Sequence, residues 1–108
     1  MTSSHSTIDI ELLRGAAAKA VSVLKVLSNE ERLLLLCQLS QGELCVSELE
    51  TQLNIRQPTL SQQLGVLRSE SAVNTRRQGK NIYYSVADPA MLEILTLLYR
   101  LYCPQGET

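Results

Sequence analysis

The pattern of apolar and polar residues predicts a long first helix and a shorter second one. Residues 8–27 repeat apolar side chains at helical spacing, and their stripe consists of Leu13, Ala17, Val21 and Leu24. Residues 31–39 predict the second helix. Ser28 and Glu31 have the spacing of a capping box, in which the hydroxyl accepts from the amide of Glu31 and the carboxylate reaches back. We therefore expect Ser28 to cap the second helix.

Two further helices are predicted around a tight turn. Ser47 and Glu50 form a second possible capping box, and they predict a third helix that ends near Leu53. Asn54 tolerates the left-handed conformation that a tight turn requires. Pro58 suits the first turn of a fourth helix, whose buried stripe is Leu60, Leu64 and Leu67. This arrangement is typical of a helix-turn-helix.

A hairpin and a last helix complete the pattern. Residues 72–78 and 81–86 alternate as strands around Gly79, with an inward face of Val73, Ile82, Tyr84 and Val86. Asp88 and Pro89 predict the start of a helix that runs to about Tyr102. Apolar residues surround most of this last helix, so it must be covered on two sides. We expect it to form a dimer interface together with the first helix.

These elements predict a mainly α fold with a small β-hairpin, a dimeric winged helix-turn-helix of five helices plus a wing. We place this domain at residues 8–104. Residues 1–7 are predicted to be a disordered tail, and residues 105–108 a short C-terminal tail.

The charge of the chain is concentrated where the helix-turn-helix and wing are predicted. The net charge is −1, from 10 cations and 11 anions. Residues 56–80 hold five cations and one anion (5 − 1 = +4), so the remainder holds five cations and ten anions (5 − 10 = −5). A local cationic surface on an acidic protein is the electrostatic footprint of a nucleic-acid binder.

Polar side chains near the start of the fourth helix have the chemistry to read base edges. Glutamine can pair with adenine, and serine or threonine can contact several bases or phosphates. The wing tip adds cations for phosphates or a minor groove. The predicted contacts to double-stranded operator DNA are Arg56, Gln57, Thr59, Ser61, Gln62, Gln63, Arg76, Arg77 and Lys80. A winged helix used for protein contact remains an alternative.

Catalysis and membrane insertion are not predicted. The sequence contains no Ser/His/Asp, Cys/His or phosphate-loop constellation, and its one histidine, His5, lies in the tail. We expect no enzyme activity and no cofactor. The first residues are polar, and no apolar run reaches the roughly 20 residues of a membrane span. We therefore expect a cytoplasmic protein without a membrane partner.

Three stretches resemble the ArsR-type winged-helix repressors: LKVLSNEERLLLL, RQPTLSQQLGVLR and TRRQGKNIYYSV. The resemblance covers residues 15–103 and is strongest to the sulfur-responsive branch. It implies a homodimer that is joined by its first and last helices and is released from DNA by an inducer. The chain departs from the family after the fourth helix, where Glu70, Ser71 and Ala72 replace the usual Glu-Gly-Leu. We expect Ser71 to cost stability and Ala72 to remove core volume.

A metal-dependent switch is disfavoured by the ligands present. The ArsR metalloid site resembles ELCVCDLC, whereas this chain has ELCVSELE and keeps only Cys45 of the three cysteines. The zinc sites of the superfamily use histidine and carboxylates on the last helix, which here has no histidine. No metal site is predicted, because a high-affinity site needs a fuller set of ligands. A metal- or metalloid-responsive repressor stays open as an alternative.

The resemblance to persulfide-sensing repressors assigns a different role to Cys37 and Cys103. They are 103 − 37 = 66 residues apart, as in the paired cysteines of those relatives. The resemblance implies that a reactive sulfur species or an oxidant links the pair through a disulfide or polysulfide. It also implies release from DNA and control of sulfide-detoxification genes.

Overall fold

A computed structural model describes residues 9–104, and it contains five helices and a three-stranded sheet. The elements are α1 (Ile10–Leu27), α2 (Glu30–Leu39), β1 (Leu44–Cys45), α3 (Val46–Leu53), α4 (Thr59–Ser69), β2 (Val73–Gln78), β3 (Asn81–Val86) and α5 (Pro89–Tyr102). The predicted winged helix-turn-helix is confirmed. The predicted tails, residues 1–7 and 105–108, lie outside the described residues.

Helix α1 begins two residues later than predicted and lies largely outside the core. The Asp9 carboxylate accepts from the backbone N–H of Glu11 at 2.9 Å, so Asp9 is the N-cap and Ile10 starts the helix. Only Val26 and Leu27 at its end are buried. The predicted apolar stripe therefore remains exposed in the single chain. Within residues 9–104, no helix combines the length and hydropathy needed to cross a bilayer.

Both predicted capping boxes are wrong, by one and two residues. Asn29, not Ser28, caps α2: its side-chain oxygen accepts from the Arg32 N–H at 3.0 Å. Ser28 is instead engaged at the end of α1, where its N–H and hydroxyl both donate to the Lys25 carbonyl. The N-cap of α3 is Cys45, not Ser47, because pairing of β1 holds Cys45 extended immediately before the helix. Its N–H donates to the carboxylate of Glu48 at 2.9 Å.

The sheet has the strand order β1-β3-β2, and all its pairings are antiparallel. Gly79 turns the β2–β3 hairpin with a φ of 65°. Val73 and Tyr84 are buried, while Ile82 and Val86 are half-buried and pack against the core, as predicted. The two-residue strand β1 was not predicted, since such a strand carries no periodicity. It attaches the start of α3 to the wing.

Leucines of α2, α3 and α4 form the centre of the core. Helix α2 lies in the middle of the molecule and contacts α1, α3, α4, α5 and β3. The side chains that are least accessible to solvent are Leu35, Leu36, Leu49, Leu60, Leu67 and Leu95. A movement of α2 would therefore be transmitted to α3 and α4 through packed side chains.

Helix α4 ends in a Schellman motif that places a serine in the left-handed region. The Ala72 N–H donates to the Leu67 carbonyl at 2.9 Å, and the Ser71 N–H donates to the Arg68 carbonyl at 3.0 Å. The φ of Ser71 is 59°, a conformation in which a Cβ is unfavourable. Ala72 is buried and lines a cavity of about 80 Å³. Ser71 and Ala72 thus lie at the end of α4, where the sequence departs from the family's Glu-Gly-Leu, and a left-handed residue and a buried one are required there.

Candidate nucleic-acid interface and thiol site

The helix-turn-helix is held together by the turn between α3 and α4. Asn54 adopts the predicted left-handed conformation, with a φ of 56°, and its N–H donates to the Glu50 carbonyl at 2.9 Å. Ile55, directly after the turn, is buried. The turn therefore sets the direction in which α4 leaves α3, and with it the face that α4 presents to solvent.

The start of α4 is stabilised by a side chain that was predicted to contact DNA. Pro58, at the N-cap, has no side-chain acceptor to offer. The side-chain oxygen of Gln57 accepts from the Ser61 N–H at 3.1 Å and satisfies one of the unpaired amides of the first turn. Gln57 thus has a structural role in α4. Arg56 is exposed beside it.

Some polar residues of α4 are exposed to solvent, whereas Gln63 is held by a hydrogen bond within the domain. Ser61 and Gln62 are exposed, and Thr59 is half-buried. Gln63 is half-buried, and its side-chain oxygen accepts from Arg32 at 3.1 Å. Arg32 also donates to the carbonyls of the end of α1. Gln62 is therefore better placed than Gln63 to reach a base edge.

Arg76 lies in the wing but is engaged with the rest of the domain. Its guanidinium donates to both carboxylate oxygens of Glu43, at 2.8 and 2.9 Å, and lies 4.9 Å from the centroid of the Tyr83 ring. It also donates to Gln78. The hydrogen bonds from Arg76 hold the pKa of the Glu43 carboxyl below its usual value. The sequence pattern did not predict this ion pair, because nothing in it joins positions 33 residues apart.

Arg77 and Lys80 remain as exposed cations of the wing. Side chains of neighbouring residues in a strand point to opposite faces, so Arg77 leaves β2 on the side away from Arg76. Lys80 follows Gly79 at the tip. The wing therefore presents positive charge at its end, as predicted, and one of its predicted cations is paired with an acid.

Cys37 and Cys103 line the same cleft between α2 and α5. Cys37 is in α2, Cys103 is the C-cap of α5, and both are half-buried free thiols. Burial raises the pKa of the Cys37 thiol, and a negative charge on Cys103 would raise it further. The fold thus brings together two cysteines that are far apart in sequence.

Cys45 lies away from this pair. It is buried at the start of α3, with its Sγ 3.4 Å from the Ser47 hydroxyl. No group of three or more His, Cys, Asp or Glu side chains within residues 9–104 is arranged to hold a metal ion. The other two cysteine positions of the ELCVCDLC pattern are occupied here by Ser47 and Glu50, so Cys45 is the one thiol in that segment.

Comparison with known proteins agrees with this geometry. Residues 29–74, which include the helix-turn-helix, match the family described as "Bacterial regulatory protein, arsR family". The chain is 44% identical over 100 residues to the biofilm growth-associated repressor of Agrobacterium fabrum, covering 93% of this chain and 86% of that protein. The chain belongs to the ArsR family. It is a transcriptional regulator and not an enzyme.

Solved structures of transcriptional regulators have the same fold. The transcriptional repressor BigR from Xylella fastidiosa superimposes with a TM-score of 0.82 at 43% identity, over 91% of this chain and 100% of that one. Reduced HlyU from Vibrio cholerae also gives 0.82, at 39% identity over 87% and 99% of the two chains. HlyU is described as a transcriptional activator. The family resemblance inferred from the three sequence stretches is thus confirmed.

Proposed function

We propose that this protein is a dimeric, cytoplasmic repressor that leaves its operator when Cys37 and Cys103 become linked. The observation that carries the proposal is the shared cleft, which both thiols line between α2 and α5. The inducer is a reactive sulfur species or an oxidant. By resemblance to the sulfur-responsive branch, the regulated genes serve sulfide detoxification.

The exposed apolar residues of α1 and α5 support the dimer. They include Leu12, which is 72% exposed, and Leu101, which is 63% exposed, together with Ile10, Leu13, Val21, Leu24, Leu92 and Leu97. A monomer seldom leaves so much aliphatic surface in contact with water. Pairing of these two helices across a two-fold axis would cover that surface and present two α4 helices to a pseudo-palindromic operator.

The position of α2 suggests how a link could reach the DNA-binding surface. A bridge joins α2, through Cys37, to the end of α5, through Cys103. Helix α2 also packs against α3 and α4, and α5 belongs to the proposed dimer interface. A tether between α2 and α5 would therefore change how the two helix-turn-helix units of the dimer are placed relative to each other. A direct disulfide requires Cα atoms within about 7 Å, and inserted sulfur atoms would relax this limit.

An operator-binding assay with a panel of inducers tests the proposal. Reduced protein is compared with protein treated with a persulfide donor, peroxide or metal ions, and each sample is analysed by mass spectrometry. We expect treatment with the persulfide donor to form a Cys37–Cys103 link and to cause the protein to release DNA, both in the wild type and in Cys45→Ser. Neither effect is expected in Cys37→Ser or Cys103→Ser. Release by metal ions alone, or an undiminished response of Cys103→Ser, would contradict the proposal.

A further inference from the structure

The cleft beside the two thiols is large enough for a small organic molecule. Its volume is about 700 Å³, within the range of small-ligand sites in proteins. Residues of α2 and α5 form most of its lining, and Leu53 at the end of α3 also lines it. Most of its lining is aliphatic or aromatic: Leu33, Leu34, Leu53, Leu98, Tyr99 and Tyr102. A site that needed only to admit a small inorganic oxidant would not require this apolar surface.

The charge at the cleft selects against anionic molecules. Among the described residues that line it, Glu30 alone is charged, and Gln38 and Gln41 are the other polar side chains besides the thiols and tyrosines. No cation is available there to pair with the carboxylates of a glutathione-type sulfur carrier. Entry of such a carrier would leave its charges unpaired against an apolar wall and would bring them near Glu30.

We propose that the cleft binds uncharged organic polysulfides, R–S–S–S–R with alkyl or small aryl groups, and positions their sulfur chain against Cys103 and Cys37. This inference rests on the proposed function, because it assigns a substrate class to the same thiol pair. The apolar R groups occupy the leucine and tyrosine surface, and the sulfur chain lies at the end of the cleft where the two cysteines are.

The reaction has two exchange steps that together oxidise the thiol pair. The Cys103 thiolate attacks a terminal sulfur of the polysulfide, which forms Cys103–S–S–R and releases R–S–S⁻. Cys37 then loses its proton to solvent and attacks the Cys103 sulfur, which forms the Cys37–Cys103 disulfide and releases R–S⁻. The balance is R–S–S–S–R plus two Cys–SH giving the disulfide, R–S–SH and R–SH. The protein loses two electrons, and the polysulfide gains them.

The order of attack follows from the surroundings of Cys37. Burial raises the pKa of this thiol, so its thiolate fraction at neutral pH is smaller than that of an ordinary cysteine. Cys103, at the end of α5, is the first nucleophile, and Cys37 resolves the mixed disulfide. Cys37→Ser should therefore accumulate Cys103–S–S–R, which mass spectrometry detects as an added R–S group.

The test compares two carriers that have the same sulfur chain, dipropyl trisulfide and glutathione trisulfide, with the full-length protein. We expect dipropyl trisulfide to form the bridge about tenfold faster or more, since its apolar groups are buried on binding. The rate of bridge formation should saturate as the concentration of dipropyl trisulfide rises. The unreactive thioether dipropyl sulfide should compete for the cleft and slow this reaction. Equal rates for the two trisulfides, together with bridge formation, would overturn this inference and leave the proposed function intact. Failure of both reagents to form any bridge would overturn both.

Two variant pairs locate the effect in the cleft. Leu34→Gln places a polar group on the cleft wall and should slow the reaction of dipropyl trisulfide. Val66→Gln, at a similarly exposed position on α4, should not slow it. Glu30→Lys should narrow the difference between the rates at which the two trisulfides form the bridge. Glu31 does not line the cleft, so Glu31→Lys should narrow this difference less. Circular dichroism of each variant controls for folding. An unchanged preference in Leu34→Gln and Glu30→Lys would contradict the proposed binding site.

Discussion

Glu43 and Arg76 join the wing to the segment that leads into α3. The guanidinium meets both carboxylate oxygens, at 2.8 and 2.9 Å, and it also lies over the ring of Tyr83. A bidentate pair fixes direction as well as distance. Although exposed ion pairs contribute little to stability, this one restricts how the hairpin can tilt relative to α3. It therefore affects the geometry of the DNA-binding surface more than the stability of the fold.

The titration of Glu43 should report this pair directly. Its pKa is lowered by the hydrogen bonds from Arg76, so the pair is present above the usual glutamate range and is lost as pH falls through the lowered pKa. In Arg76→Ala the titration midpoint of Glu43 should rise. Carboxyl-detected NMR measures this midpoint in the wild type and in the variant. An unmoved Glu43 midpoint would mean that the pair does not form in solution.

Arg77 should contribute to DNA affinity without regard to sequence. Arg77→Ala removes an exposed wing cation, so binding should weaken on operator and non-operator DNA alike. The slope of log K against log salt should become shallower by about 0.9 for each phosphate that the variant no longer neutralises. Lys19→Ala, an exposed cation on α1, is the matched control and should leave the slope unchanged. A slope unaffected by Arg77→Ala would remove Arg77 from the interface.

Arg76→Ala tests whether the pair with Glu43 persists on DNA. If Arg76 acts through its pair, Arg76→Ala and Glu43→Gln should weaken binding by similar amounts, and the double variant should be no worse than either. If Arg76 instead binds a phosphate, Glu43→Gln should leave binding unchanged or strengthen it. Fluorescence anisotropy over a salt series distinguishes the two results. We expect the non-additive result.

Gln62 should determine sequence preference. It is exposed on α4, whereas Gln63 is held by Arg32. Gln62→Ala should reduce discrimination at one or two positions of each half-site, by about 1–3 kcal/mol for the removal of a bidentate pair with a base. Binding to a library of operator variants measures this. Gln52→Ala, on α3, should not alter the preference. A uniform loss across the library would contradict base recognition by Gln62.

Ser71→Gly should stabilise the protein. Ser71 has a φ of 59°, and removal of its Cβ relieves a cost of about 1 kcal/mol. Urea unfolding of the reduced protein gives the change in the free energy of unfolding. Ser69→Gly, within the last turn of α4, is the control and should destabilise by roughly 0.5–1 kcal/mol. A destabilised Ser71→Gly would show that the serine side chain makes a stabilising contact.

Most of the secondary structure could be predicted because it depends on local repetition. The stripe of Leu60, Leu64 and Leu67 and the alternation around Gly79 are periodic, and both are confirmed. The capping residues were less predictable. Ser28 and Asn29 are both suitable caps, and only the competing bonds of Ser28 at the end of α1 decide between them.

The candidate sites depend more strongly on tertiary structure. The cleft beside Cys37 and Cys103 is formed by elements far apart in the sequence, and so is the ion pair of Glu43 and Arg76. The sequence places Cys37 in the second helix and Cys103 just past the last one, and the family resemblance pairs them. It contained no periodic signal for the apolar surface that these helices enclose, nor for a carboxylate that would engage a wing cation.

The operator affinity of one protein preparation in two covalent states tests the central claim most directly. The dissociation constant is measured for the fully reduced dimer, for the same dimer with the Cys37–Cys103 link verified by mass spectrometry, and again after reduction with dithiothreitol. We predict about a hundredfold weaker binding in the linked state, about 2.7 kcal/mol of coupling, and full recovery on reduction. Equal affinities in the reduced and linked states would contradict thiol control of DNA binding.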